Sequence, residues 1–213
     1  MIRAGVDWGS STFRAYRFNE SVDIVDSIAT ASGLKFIADR NLSTDSTSPF
    51  EAYLFDTIGQ WLSPGDTVLL SGMVTSRTGW LETPYLPCPA DLTSMMEHAV
   101  TRTINQINLI FLPGLSQRSP SPDVIRGEEL QMLGASVCLT PDPGLTRDDQ
   151  GANESSSDIT LVMPGTHSKW AHLKAGCVQR FHTLVTGELF EVLTEHSLVG
   201  ALATEGNAPA SVF

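Results

Sequence analysis

Val6-Asp7-Trp8-Gly9-Ser10-Ser11-Thr12-Phe13-Arg14 lies between two β-prone runs, Ile2-Arg3-Ala4-Gly5-Val6 and Phe13-Arg14-Ala15-Tyr16-Arg17-Phe18. Two such runs around a small-residue corner read as a β-hairpin. Gly9 lets the backbone turn tightly and come close to a ligand. Successive backbone N–H groups in such a corner form an anion-binding nest. Ser10, Ser11 and Thr12 add hydroxyl donors for phosphate oxygens. Asp7, at the end of the first strand, is placed to hold a metal ion through water, and Arg14 can offer a planar fork to an anion. Phosphate and Mg²⁺ together would account for every polar residue here. An ordinary hairpin with a polar turn is the competing reading, because short Gly-Ser motifs are weak signals.

Outward from the hairpin, residues 22–29 form a third β-prone run ended by Ser32-Gly33, so a three-stranded meander is expected. Residues 41–49 read as a loop. Apolar residues at 50, 54, 55, 58, 61 and 62 have helical spacing. Residues 67–70 read as a buried strand. Residues 74–91 have no period but carry three prolines, Arg77, Trp80 and Tyr85, which suggests a shaped loop after a strand end, where α/β proteins place ligand contacts. A helix is expected over 92–103, a strand over 108–112, a polar loop over 116–122, and a loop running into a helix over 123–135. Residues 140–158 are rich in Pro, Gly, Asp, Ser and Asn and read as a linker or insertion. Strands follow at 159–163, 169–173 and 178–184, then a helix over 189–198. The turn between the first two of these strands is Pro164-Gly165-Thr166-His167-Ser168. Strand, small hydroxyl-bearing turn, strand, turn, strand therefore occurs twice. That pairing suggests two facing units, each presenting a phosphate-binding turn to a cleft, and it is more specific than either turn alone.

With 213 residues the chain can bury a substantial core, as one large domain or two small ones. Its net charge of -11 disfavours a general nucleic-acid binder, which needs a basic surface. No apolar stretch reaches membrane-spanning length, and Asp7 interrupts the first apolar run, so neither a membrane partner nor an export signal is expected. Cys88, Cys138 and Cys177 are far apart and show no metal-ligand or disulfide spacing, which fits a reducing cytoplasm. A nucleophile-elbow hydrolase is disfavoured by the absence of a Gly-x-Ser-x-Gly turn.

Four segments resemble the 2-dehydro-3-deoxygalactonokinases, sugar-acid kinases of the actin-like ATPase superfamily that includes hexokinases and glycerol kinases. They are residues 6–14, quoted above; Ser71-Gly72-Met73-Val74-Thr75-Ser76-Arg77-Thr78-Gly79-Trp80 with 84–90; Ile125-Arg126-Gly127-Glu128-Glu129-Leu130-Gln131-Met132-Leu133-Gly134; and Met163-Pro164-Gly165-Thr166-His167-Ser168-Lys169-Trp170 with Thr186-Gly187-Glu188-Leu189-Phe190. The resemblance implies an α/β fold: an actin-like (ribonuclease H-like) domain with a mixed five-stranded sheet over 1–139, a linker or insertion over 140–158, and the start of a second such domain over 159–213. It implies transfer of a phosphoryl group from ATP, with Mg²⁺, to 2-dehydro-3-deoxygalactonate, giving the 6-phosphate.

By the same resemblance, Asp7 would orient Mg²⁺. Gly9, Ser10, Ser11 and Arg14 would hold the phosphates from one side, and Gly165, Thr166, His167 and Ser168 from the other. Lys169 either adds charge there or points to solvent. Glu128, with Glu129 in reserve, matches the place of the Asp that activates the attacking hydroxyl in glycerol kinase-like relatives. The alternative for both glutamates is that they only favour the positive end of a helix. Arg77 and Arg126 are candidates to meet the substrate carboxylate, and Trp80 and Tyr85 to wall the sugar pocket. Family members continue past this length, so the adenosine-binding segment is expected outside these residues, and a noncatalytic sugar-acid-binding remnant is the alternative function. The oligomeric state is left open.

Overall fold

The computed structural model describes residues 1–39, 48–139 and 158–200. The first hairpin forms as read: β1 (Ile2–Trp8) pairs antiparallel with β2 (Phe13–Phe18), which pairs with β3 (Ile24–Thr30). Alternation along β1 sends Ala4, Val6 and Trp8 into the core and leaves Arg3, Gly5 and Asp7 on the opposite face. Against that buried face lie α1 (Leu34–Asp39) and α2 (Pro49–Ile58). Pro49 suits the first turn of α2, where its missing N–H costs nothing, and Phe50, Leu54 and Ile58 form its buried stripe. Trp8 centres this core, edge-on to Phe13 and Phe50, with its indole N–H donating to the Ser32 carbonyl at 2.9 Å.

β4 (Thr67–Ser71) runs parallel to β1, and β7 (Ile107–Phe111) runs parallel to β4. The expected five-stranded sheet has six strands, in the order β3-β2-β1-β4-β7-β6. The sixth corrects the helix expected over 92–103. There α3 spans only Leu92–Glu97, and β6 (Val100–Ile104) returns antiparallel beside β7. Asp91 stops the run on the N-terminal side with a capping box to Ser94. β-branched residues at 100, 101, 103 and 104 favour a strand, and Asn105-Gln106, both at positive φ, form the two-residue hairpin turn into β7.

The loops expected over 74–91 and 116–122 contain short strands. β5 (Leu86–Pro87), β8 (Leu115–Gln117) and β9 (Asp123–Ile125) form a small sheet in that order. After β9 comes α4 (Glu129–Leu139). The composition shift over 140–157 falls outside the described residues. Beyond it, β10 (Asp158–Met163), β11 (His167–Lys174) and β12 (Cys177–Val185) form the second antiparallel meander, followed by α5 (Gly187–His196). His167 and Ser168 therefore belong to a strand, and the turn between β10 and β11 is confined to Pro164, Gly165 and Thr166.

A second core joins the two halves. Ala171, Leu173, Val178 and Phe181 of the meander are buried with Leu115, Ile125, Met132 and Leu133. The outer side is open: Val162, Trp170 and Leu184 are exposed, and α5 buries none of its side chains. No helix among the described residues is long and apolar enough to cross a membrane.

Candidate functional site

The ends of β1 and β4 and the segment leading into α4 converge on one side of the sheet. Gly72, after β4, has φ +92°, and a Cβ there would stand 2.8 Å from the Trp8 carbonyl oxygen. Gly127, before α4, has φ +114°, and its Cβ would stand 3.4 Å from the Gly72 Cα. Both positions need glycine for backbone conformation, and the first also for space. The outcome is that the end of β1, the end of β4 and the segment 126–131 pack backbone to backbone.

That segment lines three cavities. The first, about 320 Å³, is walled by Asp7, Arg14, Ser71, Gly127, Leu130 and Gln131 over an apolar floor. The second, about 290 Å³, is walled by Glu128 and Gln131 together with Gly165, Thr166, His167 and Lys169. The third, about 330 Å³, is walled by Ser76, Arg77, Thr78, Glu82, Tyr85 and Arg126. Gln131 is shared by the first two, and Arg126 and Gly127 are consecutive, so the cavities adjoin along a single stretch of chain.

In the first cavity Arg14 faces Asp7 directly across the β1–β2 pair, and their side chains form an ion pair at 3.1 Å. Arg14 thus meets a carboxylate of its own chain. Burial raises the Asp7 pKa from its ordinary value, and the Arg14 charge and hydrogen bond partly oppose the shift. The Gly9-Ser10-Ser11 corner is exposed or half-buried, and its carbonyls accept the N–H groups of Gly33, Leu34 and Lys35 at the start of α1.

In the second cavity Lys169 is buried and its ammonium lies 3.7 Å from a Glu128 carboxylate oxygen. Of the two placements open from sequence, the side chain takes the one inside the cleft. His167 Nε2 meets Glu188 Oε2 at 2.5 Å. Ser168 points away, buried and bonded to the Thr186 hydroxyl. Glu129 does not join Glu128 in the cavity. Its carboxyl is fully buried and accepts the Gly127 N–H at 2.5 Å, while its other oxygen has no hydrogen-bond partner among the described residues. Burial pushes its pKa up to about 8, against the lowering effects of the Glu129 and Gly127 N–H groups and the Arg126 charge.

In the third cavity Arg126 stacks over Tyr85, 4.3 Å from the ring centroid. Its guanidinium donates to the Thr75 and Thr83 hydroxyls at 2.5 and 2.7 Å and to the Thr83 carbonyl at 3.0 Å. Among the described residues no carboxylate is within ion-pair range of it. Arg77 is exposed on the same cavity. Trp80 instead packs edge-on against Phe111 as part of the first core. Sequence reading missed Ser71, Thr75, Thr83, Gln131 and Glu188. Thr83 and Arg126 are 43 positions apart, and only the fold brings them together. Gln131 was legible in principle, being four residues, about one helical turn, from Gly127.

A family model described as 2-keto-3-deoxy-galactonokinase matches residues 7–213. The chain is 30% identical over 210 residues to a probable 2-dehydro-3-deoxygalactonokinase of Rhizobium meliloti (strain 1021), covering 98% of this chain and 61% of that protein. It is 32% identical over 197 residues to the 2-dehydro-3-deoxygalactonokinase of Escherichia coli (strain K12), covering 92% of this chain and 58% of that one. The fold superposes with a TM-score of 0.78 on the crystal structure of a Sinorhizobium meliloti protein of the same family name, at 30% identity, over 96% of this chain and 61% of that one. The chain thus spans about three-fifths of the length of these relatives. By the extent of the match, the chain belongs to the 2-keto-3-deoxy-galactonokinase family.

Proposed function

We propose that this chain carries the acceptor site and phosphate-facing groups of an ATP-dependent kinase that phosphorylates 2-dehydro-3-deoxygalactonate on its 6-hydroxyl. The carrying observation is the 126–131 segment, which lines an arginine-walled cavity at one end and a lysine- and carboxylate-walled cavity at the other. A sugar acid has the same two ends, a carboxylate and a hydroxyl to be phosphorylated. Arg126 and Arg77 take the carboxylate, and Tyr85 walls the pocket.

Phosphoryl transfer asks for positioning and charge neutralisation rather than covalent chemistry. Glu128, at the cavity surface, accepts the proton of the attacking hydroxyl. Glu129, buried behind it, holds the Gly127–Glu128 backbone in place. Lys169, His167 and the Gly165–Thr166 turn face the transferred phosphoryl group, and the exposed Gly9-Ser10-Ser11 corner contacts the remaining phosphates. We assign the fold to the actin-like ATPases, with residues 159–213 beginning a second unit after the 1–139 domain. The two meanders, β1–β3 and β10–β12, support that assignment.

The donor set fits a Mg²⁺ that arrives with its nucleotide. Among the described residues no three His, Cys, Asp or Glu side chains converge on one point, so they form no all-protein cage. Mg²⁺ needs only one or two carboxylates, with phosphate oxygens and waters completing its shell. Asp7, with its carboxylate on the first cavity, meets that need. The bound ion supplies neutralisation of phosphate charge. Substitution of Glu128 by Gln tests the proton-acceptor role. We expect kcat to fall about a hundredfold or more, with little change in acid affinity; an unchanged kcat contradicts the assignment.

A further inference from the structure

We propose that Thr75 and Thr83 are positioning residues that aim the Arg126 guanidinium as a carboxylate clamp, and so set the preference of this cleft for sugar acids over neutral sugars. The inference rests on the sugar-acid reading above and adds to it the groups that create the selectivity.

Both threonines are buried, at 0% and 1% exposure. A hydroxyl has one proton, so where it donates decides which side is left to accept. The Thr75 hydroxyl donates to the Gly72 carbonyl at 3.0 Å and accepts from Arg126 Nη1. The Thr83 hydroxyl donates to the Leu112 carbonyl at 3.2 Å or to the Thr75 carbonyl at 3.3 Å, and accepts from the same Nη1. Gly72 directly follows β4 and Leu112 directly follows β7. The guanidinium is therefore tied, through two hydroxyls, to the carboxyl ends of adjacent parallel strands, where open α/β sheets bind their ligands.

All these partners, and Tyr85 beneath the guanidinium, are neutral. The clamp fixes the direction of Arg126 without cancelling its charge. Among the described residues the one carboxylate on the cavity wall, Glu82, is exposed and beyond ion-pair range of it. A planar fork held rigidly before the ligand arrives loses little freedom on binding a carboxylate. A neutral sugar end would leave that desolvated charge without a counter-charge, which is the more costly outcome.

The test is calorimetric binding of 2-dehydro-3-deoxygalactonate, and of its neutral C1 amide, to the full chain and its variants. Thr83→Val keeps the volume and removes the hydroxyl. We expect acid affinity to fall about tenfold or more while amide affinity stays within about a factor of two, because the lost bonds orient a charged donor. Thr83→Ser should restore acid affinity, and Thr75→Val should repeat the loss. If Thr83→Val does not fold, Thr75→Val, which removes the other hydroxyl that holds the same guanidinium, carries the test alone with the same expectation. Equal loss for acid and amide means a merely structural role and overturns the proposal. Wild-type acid binding that is unchanged in these variants overturns it and leaves the sugar-acid reading standing. A wild-type chain that binds acid no better than amide overturns both.

Discussion

At the scale of single residues, the site separates side chains that sequence places side by side. Glu128 and Glu129 are adjacent in the chain, yet one reaches a cavity beside Lys169 and the other is sealed under the Gly127 loop. The sealed carboxyl has a measurable signature. Its folded pKa of about 8 lies above its ordinary 4.5. The protonated form is therefore the one the fold favours. Its contribution to stability is complete below about pH 4.5 and is lost as pH rises through about 8. Glu129→Gln removes that titration. In urea unfolding between about pH 5 and pH 8, the stability of the variant relative to wild type should climb with pH, at a limiting slope of roughly 1.4 kcal/mol per unit. A difference independent of pH would contradict the buried, neutral carboxyl. No spacing rule separates the two glutamates beforehand, because which one turns inward depends on the positive φ of Gly127 and its contact with Gly72. The Asp7–Arg14 pair, by contrast, was within reach of strand alternation, since a register that pairs Trp8 with Phe13 also pairs these two.

At the scale of elements, strong local patterns were legible and a mixed one was not. The β1–β2 hairpin, α2 and both parallel strands follow from alternation, helical spacing and punctuation by Gly and Pro. The 92–103 segment, expected as a single helix, divides into α3 and β6. The decisive signals were the capping box that starts α3 and the Asn105-Gln106 turn that ends β6. That turn yields a prediction. Both residues sit at positive φ, where a side chain is strained and glycine is not. Gln106→Gly should stabilise the chain by about 0.5–1 kcal/mol in urea unfolding, after the loss of backbone entropy in the denatured state is set against the relief of strain. Destabilisation by the same amount would mean that the hairpin does not turn at these two residues.

At the scale of the molecule, the two meanders were visible as a repeated pattern, but their packing was not. The β10–β12 sheet shares a core with Leu115, Ile125, Met132 and Leu133, so the Gly165–Thr166 turn is held by elements from earlier in the chain. One side of this sheet packs into that shared core, and the opposite side with α5 leaves apolar side chains exposed. The second cavity depends on that docking, because Lys169 and Thr166 meet Glu128 and Gln131 across it. The most direct measurement is therefore of the reaction itself. The chain is incubated with ATP, Mg²⁺ and 2-dehydro-3-deoxygalactonate, and ADP and phosphorylated acid are quantified by mass spectrometry. The account predicts the two products in equal amounts, formed only when the acid is present and lost in Asp7→Ala. A chain shown by circular dichroism to be folded that forms no phosphorylated acid, or an Asp7→Ala variant that forms as much as wild type, would contradict it.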